Sequence, residues 1–311
     1  MKDTAVFQLD HNLILNPHDL RRVYGVTIVF DQDGKEQQHI RFEIEVLVKK
    51  DNATKNWLFQ FDRRNVFINR KKPSGVAEKL AYECGQVLYP LQIEVSGNEA
   101  EKIIKSRHFA IKQLKMLRKK TSMTQKSVVV DNYFAKAWDT LKEPSSYVKA
   151  IEQNIFLSFF FAPIYGRYNV LSNSKNSTMN IPMIPFCKGV AYSVQQKVNP
   201  QYSSFNTITV LQEGELTDQR TQKDFIHRLD EPIFIGKEQS KKTEGQMTAK
   251  YELDTDTRVI RSIHAKSSIV LPNNQGRSFE FQAYYLPERN KLIKNSLIQA
   301  HKPLKDNPHE Q

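Results

Sequence analysis

Glycine, cysteine and long apolar runs are all scarce in this chain, and each scarcity removes a class of function. Only 11 of its 311 residues are glycine. Neither GxxxxGK[ST] nor GxGxxG occurs, so the loops that cradle phosphates in nucleotide-binding folds are missing. The only cysteines, Cys84 and Cys187, fit neither a disulfide framework nor a zinc site, and the expectation is two reduced, buried thiols. The eight histidines contain no HExxH and no i, i+4 pair, so no metal ligand set emerges. There is no GxSxG elbow, and neither cysteine sits in a nucleophile context. No apolar run approaches the roughly 18 residues of a membrane-spanning helix; the longest is residues 155–164. The first fifteen residues lack the apolar core of a signal peptide. Together these absences predict a soluble, cytoplasmic, non-catalytic protein with no cofactor and no metal.

What the chain does have is positive charge and aromatic bulk. A net charge of +12 and a pI near 9.5 favour acidic partners, whether protein, nucleic acid or an anionic surface. With 39 % hydrophobic and 26 % charged residues, plus 18 Phe and 12 Tyr, the chain can build a substantial core.

Two stretches alternate with the period of half-buried strands. In residues 245–286 the apolar positions are Met247, Ala249, Tyr251 and Leu253, then Phe279, Phe281, Ala283 and Tyr285. Turn residues at 254–257 and 272–276 separate three antiparallel strands. The middle one, 258–271, is expected to place Val259, Arg261, Ile263 and Ala265 on one face. Near the N-terminus, Ile40, Phe42, Ile44, Val46 and Val48 oppose His39, Arg41, Glu43, Glu45 and Lys49, and Trp57, Phe59 and Phe61 follow on a third strand. Glu43 and Glu45 share their face with Arg41 and Lys49, which reads as a solvated charge ladder rather than an acid/base pair.

Meanders at both ends predict an α+β fold: one large, curved antiparallel sheet, half-barrel-like, packed against helices. Residues 1–170 would supply N-terminal strands and a helical region. Residues 171–290 would complete the same sheet, with a single domain as the alternative, and 291–311 form a basic tail. The run 172–180 reads as a loop and a candidate boundary, and 181–186 as a proline-marked edge strand. Helical spacing covers 76–88, 99–120 and 132–142. Residues 144–161 read as one Phe-rich helix around which the sheet wraps.

The helix expected over 99–120 carries the most specific polar pattern. Lys105, His108, Lys112, Lys115 and Lys119 fall within roughly 80° of arc and form a basic ridge that Arg118 and Lys120 extend. Ile103, Ile104, Ile111, Leu114 and Leu117 lie beside it. These residues are the candidate partner-binding set. A second cluster, Arg63, Arg64, Arg70, Lys71 and Lys72, follows the third strand.

The segments "GVTIVFDQDG", "HIRFEIEVLVKK", "VLYPLQIEVSGN" and "AKYELDTDTRVIRSIHA", with the helical middle between them, resemble a class of Bacteroidota proteins. That class is similar in plan to lipoprotein-carrier half-barrels, in which a curved antiparallel sheet wraps helices around an apolar groove. The resemblance rests on strand rhythm and the "YELDTDT" hairpin and transfers no functional residue. The signal peptide of exported carriers is not seen here, and the basic helix departs from the pattern. What the resemblance implies is a binding, adaptor or chaperone-like protein associated with a secretion apparatus. An acidic protein partner ranks first. A hydrophobic small molecule or lipid carried in the groove is the alternative, and nucleic acid or an anionic surface bound by the basic helix ranks last.

Overall fold

The structure, a computed structural model, describes residues 12–17, 20–51, 54, 56–96, 102–122, 127–233, 243–271 and 276–289. After a short strand, β1 (Asn12–Leu13), the chain forms β2 (Arg21–Gln32), β3 (Lys35–Lys50) and β4 (Trp57–Ile68), then helix α1 (Val76–Gln86), β5 (Leu91–Val95) and β6 (Lys102–Ile104). A helical middle follows: α2 (Arg107–Ser122), α3 (Val128–Lys142), α4 (Pro144–Glu152) and α5 (Ile155–Phe160). The rest is β7 (Gly166–Arg167), β8 (Ser174–Ile181), β9 (Val190–Val198), β10 (Thr207–Leu216), α6 (Gln222–Ile226), β11 (Glu244–Asp254), β12 (Ile260–Val270) and β13 (Gly276–Tyr285).

Eleven strands make one antiparallel sheet in the order β6-β5-β4-β3-β2-β13-β12-β11-β10-β9-β8, curved but not closed into a barrel. Each half is a meander because each strand carries period-two apolar residues and a short polar turn. At Asp33-Gly34 both residues have positive φ, 54° and 77°. This is the geometry that matches the twist of a two-residue hairpin, and glycine adopts it without a Cβ clash. The halves join where β2 pairs with β13, in register from Tyr24 opposite Tyr285 to Gln32 opposite Arg277. The sheet is therefore built from both ends of the sequence, as the two meanders predict. Nothing in its hydrogen bonding marks a break between them.

The Phe-rich segment fills the concave side. Phe156, Phe159 and Phe160 are buried. Phe156 lies 5.2 Å from Phe160, 6.1 Å from Phe61, 6.2 Å from Tyr24 and 6.4 Å from Phe281, ring centre to ring centre. Phe159 stacks on Phe281 at 5.2 Å. These contacts bring strands from both halves of the sheet onto one helix.

Several expectations need correction. Residues 144–161 are two helices, because Asn154 turns extended and caps α5, its Oδ1 accepting from the Leu157 amide at 3.2 Å. α4 opens on Pro144, with no side-chain cap at Glu143. The helix expected over 99–120 begins only at Arg107. Lys102–Ile104 is instead an edge strand paired with β5, which removes Ile103, Ile104 and Lys105 from the helical stripe, and residues 97–101 lie outside the described residues. Residues 172–180, expected as a loop, contain most of β8, the opposite edge strand, whereas 182–186, expected as an edge strand, is irregular.

In β12 a register shift opposite Glu252 and Leu253 makes Arg261 an extra residue. A bulge of this kind reverses the alternation. Ile260 and Ile263 both turn to the core and Arg261 turns out, rather than sharing a face with Ile263. Of the two carboxylates in the expected ladder, Glu43 keeps partial exposure, 21 %, whereas Glu45 does not. Glu45 is 3 % exposed and ion-paired with Arg21 and Arg64, while Glu43 accepts from Asn65 at 2.9 Å and pairs with Arg289 at 3.2 Å. Both cysteines are free and buried. No described helix is long and apolar enough to cross a membrane.

If α5 is the piece on which both halves of the sheet close, Phe156→Ala lowers the free energy of unfolding by about 3–5 kcal/mol. Urea denaturation checks this, and a loss below about 1 kcal/mol contradicts the packing described.

Candidate ligand-binding cavity

Because α5 occupies the concave side, open space remains at the ends of the curved sheet. At the end where β3 and β5 finish and β4 and β12 begin, the chain leaving α5 turns across the mouth and leaves a cavity of about 270 Å³. Its walls are Val48, Phe59, Val95 and Ile260 from the strands, Phe160, Phe161 and Ala162 from the end of α5, and Leu15 and Pro17 from the N-terminal segment, with Val259 and Tyr165 at its edge. All but Lys102 are apolar or aromatic. Val48, Phe59, Val95, Ala162 and Ile260 are each at most 3 % exposed, so the walls belong to the core rather than to a surface dent.

The loop that forms one wall is held from several directions. Lys102 Nζ donates to the Phe161 carbonyl at 3.1 Å and lies 5.2 Å from the centre of the Phe161 ring. Gln196 Nε2 donates to the Pro163 carbonyl at 3.0 Å, and the Tyr165 hydroxyl to the Arg258 carbonyl at 2.8 Å. Lys175 donates to the Tyr165 carbonyl. The N-terminal segment is tied down by β1 pairing with β7 and by the Asn16 amide donating to Thr257 O at 2.9 Å.

Beneath the opposite wall lies a buried polar clamp. Arg22 is 6 % exposed, donates to Ile260 O at 2.8 Å, pairs with Asp254 and stacks 4.9 Å over Tyr285. The Tyr24 hydroxyl donates to the same carbonyl at 2.6 Å. The clamp therefore sets the position of Ile260, a wall residue. Burial pushes the Tyr24 phenol up to about 12, against the lowering effect of the adjacent Arg22.

A second opening, a cleft of about 310 Å³, lies between the two free edges of the sheet. Ile93, Lys102 and Ile104 line it on one side, Asn180, Lys188 and Gly189 on the other, with Ile151, Leu157 and Phe161 beneath. Lys102 and Phe161 border both spaces, so their contact stands as a partition between cavity and cleft.

The basic ridge is only partly assembled. His108, Lys112, Lys115 and Lys119 project from α2 on the side away from its buried Ala110, Leu114 and Thr121. Arg118 and Lys120 are also exposed, on its flanks. Lys105 precedes the helix and pairs with Glu94 at 2.9 Å, and the Asn56 amide, together with Lys105, holds the Glu94 carboxyl below its ordinary value. In the second cluster, Arg63 donates to Gln86 at 2.8 Å and stacks on Tyr89, and Arg64 pairs with Glu45 and Asp62. Arg70, Lys71 and Lys72 are exposed.

No pattern in the sequence singled out the cavity residues, because they come from separate strand ends and loops that meet only in the fold. The one local signal was the Phe run 159–161 followed by Pro163. Among the described residues no cluster of three or more His, Cys, Asp or Glu side chains is arranged to hold a metal ion. No protein-family model matches the chain, and no curated protein matches it.

Because the folded state favours the neutral phenol of Tyr24, its contribution to stability is complete below the ordinary tyrosine value near pH 10 and is lost as pH rises through about 12. The urea midpoint should therefore hold up to about pH 10 and then fall, and Tyr24→Phe should make that fall shallower. Equal slopes for both proteins would show that Tyr24 is not buried as described.

Proposed function

We propose that the protein binds a small, mainly apolar molecule in the cavity at the end of the curved sheet and shields it from water. The observation that supports this is a pocket of about 270 Å³ whose walls are core residues and whose single charged lining residue is Lys102. Ligand sites have this composition: apolar walls for affinity and a few polar groups for orientation. A dry cavity of about 150 Å³ already accommodates benzene, so the space suits a single chain of medium length rather than a two-chain lipid. This reading keeps the carrier function that the half-barrel resemblance implies and narrows its cargo, because the Phe-filled concave side leaves no long groove. Docking through α2 is independent of the cavity and is supported separately by the exposed cations of that helix.

Decanoate and decanol titrated against the purified full chain test the proposal. Both should bind, decanoate more tightly because its carboxylate meets Lys102 at the mouth, and Lys102→Gln should reduce that preference while leaving decanol binding in place. Ala162→Phe, which places a ring inside the cavity, should weaken both ligands at least tenfold without lowering the thermal midpoint. Binding that survives Ala162→Phe, or no binding of either ligand by the wild type, rules the cavity out as the site.

A further inference from the structure

His108 and the three lysines on the outward side of α2 share that helix with no acidic residue at all: its sequence is RHFAIKQLKMLRKKTS. The neighbouring cations are already engaged inside the protein. Lys105 pairs with Glu94, and Arg107 donates to the carbonyls of Leu141 and Lys142 at the end of α3. His108, Lys112, Lys115 and Lys119 have no carboxylate partner among the described residues, and Lys115 packs 5.3 Å over the Trp138 ring instead. At 100° per residue these four lie within about 60° of arc, centred opposite the buried side.

Beside the ridge, on the flank away from Trp138, stand two large apolar side chains. Phe109 is 39 % exposed and Met116 is 48 % exposed. They are one heptad apart, so they form a pair along the helix just below the line of cations. Since Ala110, Leu114 and Thr121 anchor the opposite side, the helix cannot rotate to bury them.

We infer that this face of α2 docks on an anionic phospholipid bilayer, the lysines lying among the headgroups and Phe109 and Met116 dipping toward the acyl boundary. Interfacial helices combine these two features, a basic face and an adjoining apolar one. Charge complementarity supplies the attraction, and each lysine near such a surface contributes about fivefold in partitioning. A single-stranded nucleic acid would use several aromatic rings interleaved with the cations, and Phe109 is the one Phe, Tyr or Trp on α2. The inference goes beyond ligand binding in the cavity and does not depend on it.

Co-sedimentation of the full chain with vesicles tests it. Vesicles of phosphatidylcholine containing about one-third phosphatidylserine should bind the protein, pure phosphatidylcholine should not, and binding should weaken as salt rises from about 50 to about 200 mM. The triple variant Lys112→Gln, Lys115→Gln, Lys119→Gln should lose at least tenfold. Phe109→Ser with Met116→Ser should weaken binding while keeping its salt dependence. All these positions are at the surface, so unchanged circular dichroism and thermal midpoint confirm that the variants fold. The inference is overturned if the two vesicle types bind alike, if neither binds at low salt, or if the triple variant binds like wild type. It is equally overturned if a single-stranded RNA or an acidic polypeptide binds through the same lysines more tightly than the vesicles do.

Discussion

The pairing of β2 with β13 is the constraint on which the architecture depends. It joins the first long strand of the chain to the last, over nine consecutive residue pairs. Everything between is forced to leave one edge of the sheet at β6 and return to the other at β8. The helical middle must cross that interval, and α4 and α5 run through it, with α5 on the concave side. A sheet joined this way has high contact order, so its assembly depends on contacts between residues far apart in the sequence. The aromatic cluster on α5 supplies them, since Phe156 and Phe159 touch β13, while Phe156 and Phe160 touch β2 and β4.

Filling the concave side from within has a consequence for binding. α5 is only six residues long, shorter than the strands around it. It reaches from Ile155 at one end of the sheet, where a third, larger opening of about 580 Å³ lies, to Phe160 at the other. The chain then turns through Ala162 and Pro163, and Pro163, which lacks an amide hydrogen, cannot continue the helix. The space beyond the last ring is the apolar cavity. Cavity and core are thus two parts of one packing problem: the same helix that fills the concave side leaves the pocket at its tip.

Strand rhythm made the sheet legible, because alternation is a local property and both meanders alternate over long runs. The failures came where a non-local partner decided the outcome. Residues 102–104 have helical company in the sequence but lie beside β5, and pairing with that strand overrides the amphipathic pattern. β8 is rich in Ser and Asn, poor strand formers, and is a strand because β9 offers a full ladder from Ser174 to Ile181. Arg261 was misplaced by a bulge that no alternation count detects. The helix break at Asn154 was signalled, since Asn is a strong cap, but the apolar run on both sides concealed it.

Net charge is the feature most altered by the structure. A value of +12 suggests a broadly basic surface, yet several of the arginines are internal struts. Arg22 bridges Asp254 and the Ile260 carbonyl, and Arg220 bridges Asp218 and the carbonyls of Lys188, Gly189 and Leu229. Arg21 and Arg64 close over Glu45. A planar guanidinium with several fixed donors suits such positions, and an ammonium does not. Arg22 and Arg220 thus do structural work inside the fold, whereas the lysines of α2 stand on a helix with no acid of its own. Among the described residues α2 is one place where exposed cations gather without an acid on the same element, and Arg70, Lys71 and Lys72 are another exposed group. A sequence pI, which counts a buried strut and an exposed lysine alike, cannot draw that distinction.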